Sequence, residues 1–146
     1  MRSLKTIFHE DQKDRCNINM TREEMTRRDI HRRREVRRII SGKKSLTPDD
    51  FYHVAFVFHH GPSKADSQHA VRLAQESVKR GSKKAKWLYA ATVDRLLIKN
   101  GKRQKFGTQF RKKKNGEWIL FPVDTKTTDA QRANLNVPPL IQLKRR

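Results

Sequence analysis

The sequence contains a single cysteine and no long apolar run, and each absence excludes a class of protein. Because Cys16 is the only cysteine among 146 residues, the chain can form neither an intrachain disulfide nor a cysteine-based zinc ribbon or knuckle. No stretch approaches the roughly 18 apolar residues that a membrane-spanning helix requires. A membrane is therefore not an expected partner.

The N-terminal segment carries no recognisable targeting pattern. Residues 1–11 lack the apolar core of a secretion signal, and they include Glu10 and Asp11, whereas organellar presequences are poor in acids. A single cysteine also fits a reducing compartment. We therefore expect a cytoplasmic protein.

Acidic residues are scarce relative to basic ones. Lysine and arginine total 35 against 15 aspartates and glutamates, which gives a formal charge of +20, a pI near 10.9 and a mean hydropathy of −0.96. Such a charge attracts polyanions, because cations that neutralise phosphates release counterions. Nucleic acid is the expected partner, with RNA favoured over DNA, although no helix-turn-helix, zinc finger or ribonucleoprotein signature indicates sequence-specific recognition.

The usual signatures of enzymes and of metal sites are also missing. The chain has no P-loop, HExxH or GxGxxG motif, and no Ser-His-Asp or Cys-His signature. His59, His60, Asp66 and His69 are potential metal ligands, but their spacing matches no known metal pattern. We therefore predict no metal and no cofactor.

Apolar periodicity predicts a mainly α fold with about four to five helices and one β-hairpin near the C-terminus. A chain of this length suits one domain, residues 1–146. Its predicted parts are listed in order: N-terminal helices with an arginine-rich helix (1–42), a helical core (47–101), a basic β-hairpin (106–122), and a short helix with a basic tail (127–146). Its last three residues, Lys144, Arg145 and Arg146, are expected to be flexible.

The N-terminal helix carries an ion pair at helical spacing. Asp11 and Arg15 are separated by four residues and share one side of this helix. A surface pair of this kind contributes only about 0.3–0.5 kcal/mol. A surface pair and a functional pair remain alternative interpretations.

The second predicted helix is rich in arginine. Thr21 and Glu24 form a capping box that starts it, and Gly42 ends it. Because the guanidinium group suits phosphate contacts, these arginines are predicted to bind nucleic acid, although a solvated, salt-bridged helix is the alternative. The candidate residues are Arg27, Arg28, Arg32, Arg33, Arg34, Arg37 and Arg38.

A third predicted helix begins at the strong cap Thr47-Pro48 and ends at Gly61-Pro62. It is apolar almost all round, which is typical of a central core helix. His60 lies at its C-terminal end, beside a loop. This histidine is either a packed core residue or a general acid or base.

The segment from Asp94 to Gln109 places a carboxylate close to a polar loop, whose arginine, lysine, glutamine and threonine side chains, with no acid among them, are expected to bring hydrogen-bond donors to it. Asp94 falls on the apolar stripe of a predicted helix that ends at Gly101, and we expect its charge to pair with His60 or a nearby arginine. Arg15, Arg95 or Arg132 would stabilise an anionic phosphate, and Gln104, Thr108 and Gln109 would position substrate or water.

The predicted hairpin is strongly basic. From Lys99 to Lys114 there are eight lysines and arginines and no acid, and Asn115-Gly116 predicts a type I′ turn. Phe106, Phe110 and Trp118 are either free to stack on bases or packed against the helices; packing is favoured for Trp118. The cations predicted to contact phosphate are Lys102, Arg103, Lys105, Arg111, Lys112, Lys113 and Lys114.

Several polar segments together resemble an uncharacterised, mostly bacterial family known only as a domain of unknown function. They are listed here: Asp11-Gln12-x-x-Arg15, His59-His60-Gly61, Asp94-Arg95-x-Leu97, Gly101-x-x-Gln104-x-Phe106-Gly107-Thr108-Gln109, Asp129-x-x-Arg132-Ala133 and Val137-Pro138-Pro139-Leu140. The resemblance implies a mainly helical domain in which these segments converge, and it implies no activity.

Three hypotheses follow. The preferred one is a basic protein that binds structured or ribosomal RNA through phosphate contacts without strong sequence specificity. The second is a metal-free, nuclease-like enzyme with a catalytic cleft at Asp11, Arg15, His60, Asp94, Arg95, Gln104 and Gln109. The third is a structural component of a ribonucleoprotein or another large assembly. The sequence sets no oligomeric state.

Overall fold

A computed structural model describes residues 2–145, which form seven helices and one antiparallel hairpin. In chain order the elements are α1 (Leu4–Arg15), α2 (Arg22–Ser41), α3 (Pro48–His59), α4 (Lys64–Lys79), α5 (Ala85–Lys99), β1 (Phe110–Lys112), β2 (Trp118–Leu120), α6 (Asp129–Asn134) and α7 (Leu140–Lys144). The predicted fold class is confirmed, with five longer helices and two short ones. No helix within residues 2–145 is long and apolar enough to cross a membrane.

Local hydrogen bonding explains why most of the helices start where the sequence predicts. Thr21, Thr47 and Thr128 each accept a hydrogen bond from the backbone N–H three residues later, which satisfies a donor that the helix leaves free. Ser3 and Ser63 do the same for α1 and α4. The α5 helix has no side-chain cap.

The α3 helix is the centre of the larger core. It packs against α1, α2, α4 and α5, and Val54 and Phe58 are fully buried together with Ile7 and Leu88. Each such side chain contributes about 1.5–3 kcal/mol when it leaves water. Small residues, including Ala70 on α4, allow the neighbouring helix axes to approach closely.

A second, smaller core lies under the hairpin. It contains Ala90, Phe106, Val137 and Leu143. The last of these belongs to α7, a short helix that the sequence did not predict and that burial of one leucine anchors; it ends at Lys144, the first residue of the end that is expected to be flexible. Arg146, the final residue of that end, and Met1 lie outside the described residues.

The hairpin pairs Phe110 with Leu120 and Lys112 with Trp118. The predicted type I′ turn is wrong, because that turn requires positive φ at both central residues and Asn115 does not have it. Instead the Gly116 N–H donates to the Lys113 carbonyl over 2.9 Å. Within this turn only Gly116 has a positive φ, which is 88°. This is a three-residue loop closed by a glycine bulge.

Candidate functional site

A cavity of about 560 Å³ lies between the end of α3, one face of α5 and the hairpin. We call it the cleft. Four aromatic side chains and five polar ones line it, as listed: Phe56, Trp87, Phe110 and Trp118, with His59, His60, Arg95, Thr108 and Gln109. Three of the predicted catalytic residues, His60, Arg95 and Gln109, therefore meet in one cavity.

His60 is held by a buried carboxylate. Its Nδ1 lies 2.9 Å from Oδ2 of Asp11, and only 1% of the aspartate side chain is exposed. Burial raises the pKa of Asp11, but the hydrogen bond and charge of His60 outweigh that effect, so the pKa lies below its ordinary value. For His60 itself, burial lowers the pKa more than the aspartate raises it. The Asp11–His60 pair fixes the orientation of the imidazole ring through Nδ1, and Nε2, the other ring nitrogen, takes no part in this contact.

Asp11 belongs to a network of ion pairs rather than to an exposed pair. Arg15 lies 3.5 Å from it and also binds Asp29 at 2.8 Å. Arg32 approaches Asp11 to 3.5 Å as well, from α2. The surface-pair interpretation of Asp11 and Arg15 is therefore wrong: the two residues connect α1 to α2 and to the end of α3. Arg15 is a neighbour of the cleft and does not line it.

Arg95 is a partly buried cation without an acidic partner. Its Nε donates to Oε1 of Gln109 over 3.2 Å, and its Nη1 donates to the His59 carbonyl over 2.7 Å. Within residues 2–145 no carboxylate lies within 4 Å of it. Burial lowers its pKa, and the charge of Arg15 lowers it further, but a guanidinium stays protonated at neutral pH. The cleft therefore contains an uncompensated positive charge.

His59 was not among the predicted catalytic residues, yet it lines the cleft beside His60. It is only 5% exposed, and its ring centroid lies 5.6 Å from that of His60 and 6.4 Å from that of Phe56. No hydrogen bond within the described part of the chain reaches its ring nitrogens. Burial holds its pKa well below 6.5, and the charge of Arg95 adds to this effect. His59 is thus a neutral imidazole at the cleft.

Asp94 does not pair with His60 or with an arginine, and that prediction is wrong. Its carboxylate is fully buried and accepts the backbone N–H groups of Lys105, Phe106, Gly107 and Thr108 at 2.8–3.1 Å. It also accepts the Thr108 hydroxyl at 2.7 Å. Backbone donors converging on one carboxylate satisfy its charge as well as an ion pair would. Asp94 therefore shapes the loop that forms one wall of the cleft.

The two glutamines have different positions. Gln104 is fully buried, and its amide donates to the carbonyls of Gln109 and Phe121 while its oxygen accepts the Gln109 N–H. Two of these bonds close the loop between Gln104 and Gln109, and the third ties it to Phe121, just after β2. The buried Gln104 side chain is fully used in this way, so its predicted contact with substrate is wrong. The Gln109 side chain faces the cleft, where it bonds Arg95 and Thr108.

The arginines of α2 divide into paired and unpaired groups. Arg32 is fully buried between Asp14 at 2.6 Å and Asp29 at 2.7 Å. Arg33 is also buried, so the prediction that both arginines contact nucleic acid is wrong, because neither is accessible. Two more, Arg28 and Arg37, form ion pairs on the surface. The exposed ones without an ion pair in residues 2–145 are Arg22, Arg27, Arg34 and Arg38.

The cations around the hairpin are more accessible. Those that are exposed are Lys102, Arg103, Lys105, Arg111, Lys112, Lys113 and Lys114. Lys113 lies 3.6 Å from Glu117, and Lys112 lies over the Trp118 ring at 5.7 Å. Trp118 is 54% exposed, so the favoured interpretation that it packs against the helices is wrong. Phe106, by contrast, is buried in the second core and is not free to stack on a base.

Sequence reasoning missed three of the nine residues that line the cleft, Phe56, His59 and Trp87, although one local signal was present. Phe56, His59 and His60 are spaced i, i+3 and i+4, which places them on one face of a helix. Trp87 and Trp118 come from segments 31 residues apart in the sequence, so no local pattern connects them.

Comparisons with known proteins add no assignment. No protein-family model, curated protein or solved structure matches the chain. The resemblance to a domain of unknown function therefore stays a prediction. Within residues 2–145 no three histidine, cysteine, aspartate or glutamate side chains are grouped so that they could hold a metal ion.

Proposed function

We propose that this protein binds RNA, and that the cleft takes an unpaired nucleotide of a single-stranded or looped segment. The observation that carries the proposal is the combination at one cavity of an arginine without an acid and an aromatic wall. Arg95 supplies the charge, and Trp87 and Trp118 are 38% and 54% exposed. A phosphate and a base are the two parts of a nucleotide that such groups bind.

The aromatic side chains support binding of a base. Each base has a flat face, so stacking on tryptophan stabilises a complex with little dependence on sequence, at about 1–3 kcal/mol per base. Trp87 comes from α5 and Trp118 from the hairpin, and both line the cleft. A duplex hides its base faces, whereas a loop or single strand exposes them. The cleft therefore suits unpaired nucleotides.

The polar groups support binding of a phosphate and a ribose. Arg95 has hydrogen-bond partners but no carboxylate to neutralise it, so an anionic phosphate would supply the missing charge. Thr108 and Gln109 present a hydroxyl and an amide to the same cavity. Such groups can bind a ribose 2′-hydroxyl, which favours RNA over DNA.

The charge of the hairpin supports attraction of a longer strand. Its exposed lysines and arginines adjoin the cleft at Phe110 and Trp118, and the whole chain carries +20. Positive charges along a backbone track give strong binding that weakens as salt rises. An RNA-binding role also agrees with the cytoplasmic location that the sequence favours.

Fluorescence anisotropy with one labelled oligonucleotide sequence tests the proposal. Single-stranded RNA, the same sequence as DNA, and its RNA duplex are titrated with protein at low and high salt. The single-stranded RNA is expected to bind most tightly. Trp118→Ala should weaken binding about 5- to 150-fold, since it removes about one stacking interaction of 1–3 kcal/mol.

Matched variants make the result specific to the cleft. Arg95→Gln is expected to weaken RNA binding, while Arg80→Gln, a change at an exposed arginine paired with Glu76 at 2.9 Å, should leave it nearly unchanged. Equal binding of duplex and single strand, or no effect of Trp118→Ala, would contradict a nucleotide-binding cleft. No binding at low salt would contradict the whole proposal.

A further inference from the structure

Two imidazoles line the cleft side by side, and nothing in RNA binding alone requires both. The ring centroids of His59 and His60 are 5.6 Å apart, and both residues line the same cavity as Arg95. Two histidines at this separation can reach two different oxygens of one bound phosphodiester. The pair therefore has the geometry for moving protons at both sides of a phosphorus atom.

The two rings differ in their surroundings. His60 is bound through Nδ1 to the carboxylate of Asp11, and a carboxylate in this position favours the protonated ring and fixes its orientation. His59 has no acidic partner within residues 2–145 and lies close to the cation Arg95. The carboxylate makes His60 the more readily protonated of the two rings, so His60 is the candidate proton donor and His59 the candidate acceptor.

We propose that the cleft cleaves single-stranded RNA by transesterification, with His59 as the general base and His60 as the general acid. The inference rests on the proposed function, since the strand must first bind in the cleft. Arg95 would stabilise the charge that develops on the non-bridging phosphate oxygens. Asp11 would act as a positioning residue for His60.

The reaction is an internal displacement that needs no further reactant. His59 removes the proton of a ribose 2′-hydroxyl, and the 2′-oxygen attacks the adjacent phosphorus. A bond forms between the 2′-oxygen and phosphorus while the bond between phosphorus and the 5′-oxygen of the next nucleotide breaks, and His60 protonates that departing oxygen. The products are a 2′,3′-cyclic phosphate and a free 5′-hydroxyl, and the phosphorus keeps its oxidation state.

The charges around the rings set an acidic optimum. The pKa values of both histidines lie below 6.5 in the free protein, that of His59 well below. The groups that act on the two rings are Asp11 and Arg15 from α1 and Arg95 and Lys99 from α5. Because a base and an acid work best between their pKa values, kcat/KM for cleavage is expected to peak below pH 6.5.

The test is cleavage of a 5′-labelled single-stranded oligoribonucleotide by the full chain, with EDTA present, followed by mass spectrometry of the products. Wild type is expected to release fragments ending in a 2′,3′-cyclic phosphate. The fully 2′-deoxy and 2′-O-methyl versions of the oligonucleotide should stay intact. Loss of an acid or base lowers rates about 100- to 10,000-fold, so His59→Ala and His60→Ala should each abolish detectable cleavage.

Controls separate chemistry from folding and from binding. His59→Gln and His60→Gln keep side-chain bulk and should lose cleavage while circular dichroism and RNA anisotropy stay near wild type. His31→Ala, at an exposed histidine of α2, should cleave normally. RNA binding without fragments would overturn this inference and leave the proposed function standing, whereas absence of binding would overturn both. Fragments that persist in the histidine variants, or that appear from the 2′-deoxy strand, would also overturn it.

Discussion

The interface between α1 and α2 and the cleft both shield an arginine from water, but they treat its charge in opposite ways. Arg32 is fully buried and has Glu10, Asp14 and Asp29 within 3.2 Å. Arg95 is partly buried, and its nearest partners are a carbonyl and a glutamine oxygen. One cation is neutralised within the chain and the other is not.

This difference in charge pairing indicates that Arg32 serves stability and that Arg95 serves binding. A buried cation that is paired with carboxylates holds two helices in one orientation, and it is not available to bind an anionic ligand. A charge that faces a cavity without an acid is available to an anion from outside. The high arginine content therefore does not by itself identify the binding residues. What identifies them is the absence of a carboxylate nearby.

The largest effect is expected from removing Arg32. Arg32→Met removes the buried cation that Asp14 and Asp29 share and leaves them only the more exposed Arg28 and Arg15. This should lower the free energy of unfolding by about 3 kcal/mol. Arg95→Met removes two hydrogen bonds and no ion pair, so the free energy of unfolding should fall by only about 1–2 kcal/mol, while RNA binding should weaken. Urea unfolding monitored by circular dichroism measures both values. A larger loss for Arg95→Met would reverse the comparison.

The second-largest effect on stability is expected from changing Asp94, because all the hydrogen bonds to its carboxylate come from one loop. Asp94→Asn turns an amide N–H₂ toward some of these donors and removes the charge, which should lower the free energy of unfolding by about 2–3 kcal/mol. Thr108→Val removes only the hydroxyl at 2.7 Å and should lower it by about 1 kcal/mol. If Asp94→Asn were neutral in urea unfolding, the carboxylate would not organise the loop.

Acid should weaken the two regions in different pH ranges. The pKa of His59 in the fold is well below 6.5, so the unfolded chain takes up that proton first and stability falls as pH drops below 6.5. Burial raises the pKa of Asp14, but Arg28 and Arg32 outweigh it and leave the pKa below 3.8. Its contribution is therefore present above pH 3.8 and is lost below that value.

Unfolding free energies measured from pH 7 to pH 3 test this order. His59→Gln should flatten the decline below pH 6.5 and leave the steeper loss below pH 3.8 in place. Since the pKa values of His53, His60 and His69 are also lowered, part of the first decline should remain. A profile identical to wild type would mean that His59 is not shielded as the structure shows.

The smallest effect on stability is expected at the hairpin. Replacing Arg111, Lys112 and Lys114 by glutamine should change the free energy of unfolding by no more than about 0.5 kcal/mol. The same changes should reduce the salt dependence of RNA binding by about two units of log–log slope, because each cation contributes about 0.7 on a single strand. Lys43→Gln, at a lysine paired with Asp50 at 3.2 Å, serves as the control and should leave the slope nearly unchanged.

Sequence predicted much of the fold, because helix ends are decided locally. The caps at Thr21, Thr47 and Thr128 bond to groups three residues away, so their effect is visible in the order of residues. The last helix was missed for the opposite reason. It is short and uncapped, and it forms because Leu143 is buried in a core assembled from distant segments.

Part of the site was predictable too. The meeting of His60, Arg95 and Gln109 was expected, as were side-chain donors from the loop beside Asp94, of which Thr108 is one. The backbone N–H groups that supply the other bonds to Asp94 and the position of Gln104 were not expected. Backbone N–H groups do not appear in a motif, so a carboxylate that accepts several of them resembles a catalytic acid in sequence. Only the path of the loop shows which groups it binds.

The sequence by itself determined the charge, the helical elements and the basic hairpin, since these follow from composition and from contacts within a few residues. Tertiary structure decided which cations stay available. Arg28 meets Asp14 across 14 residues, and Arg95 meets the His59 carbonyl across 36 residues. Because charges interact through space rather than along the chain, pairing could be assigned only once the helices were packed.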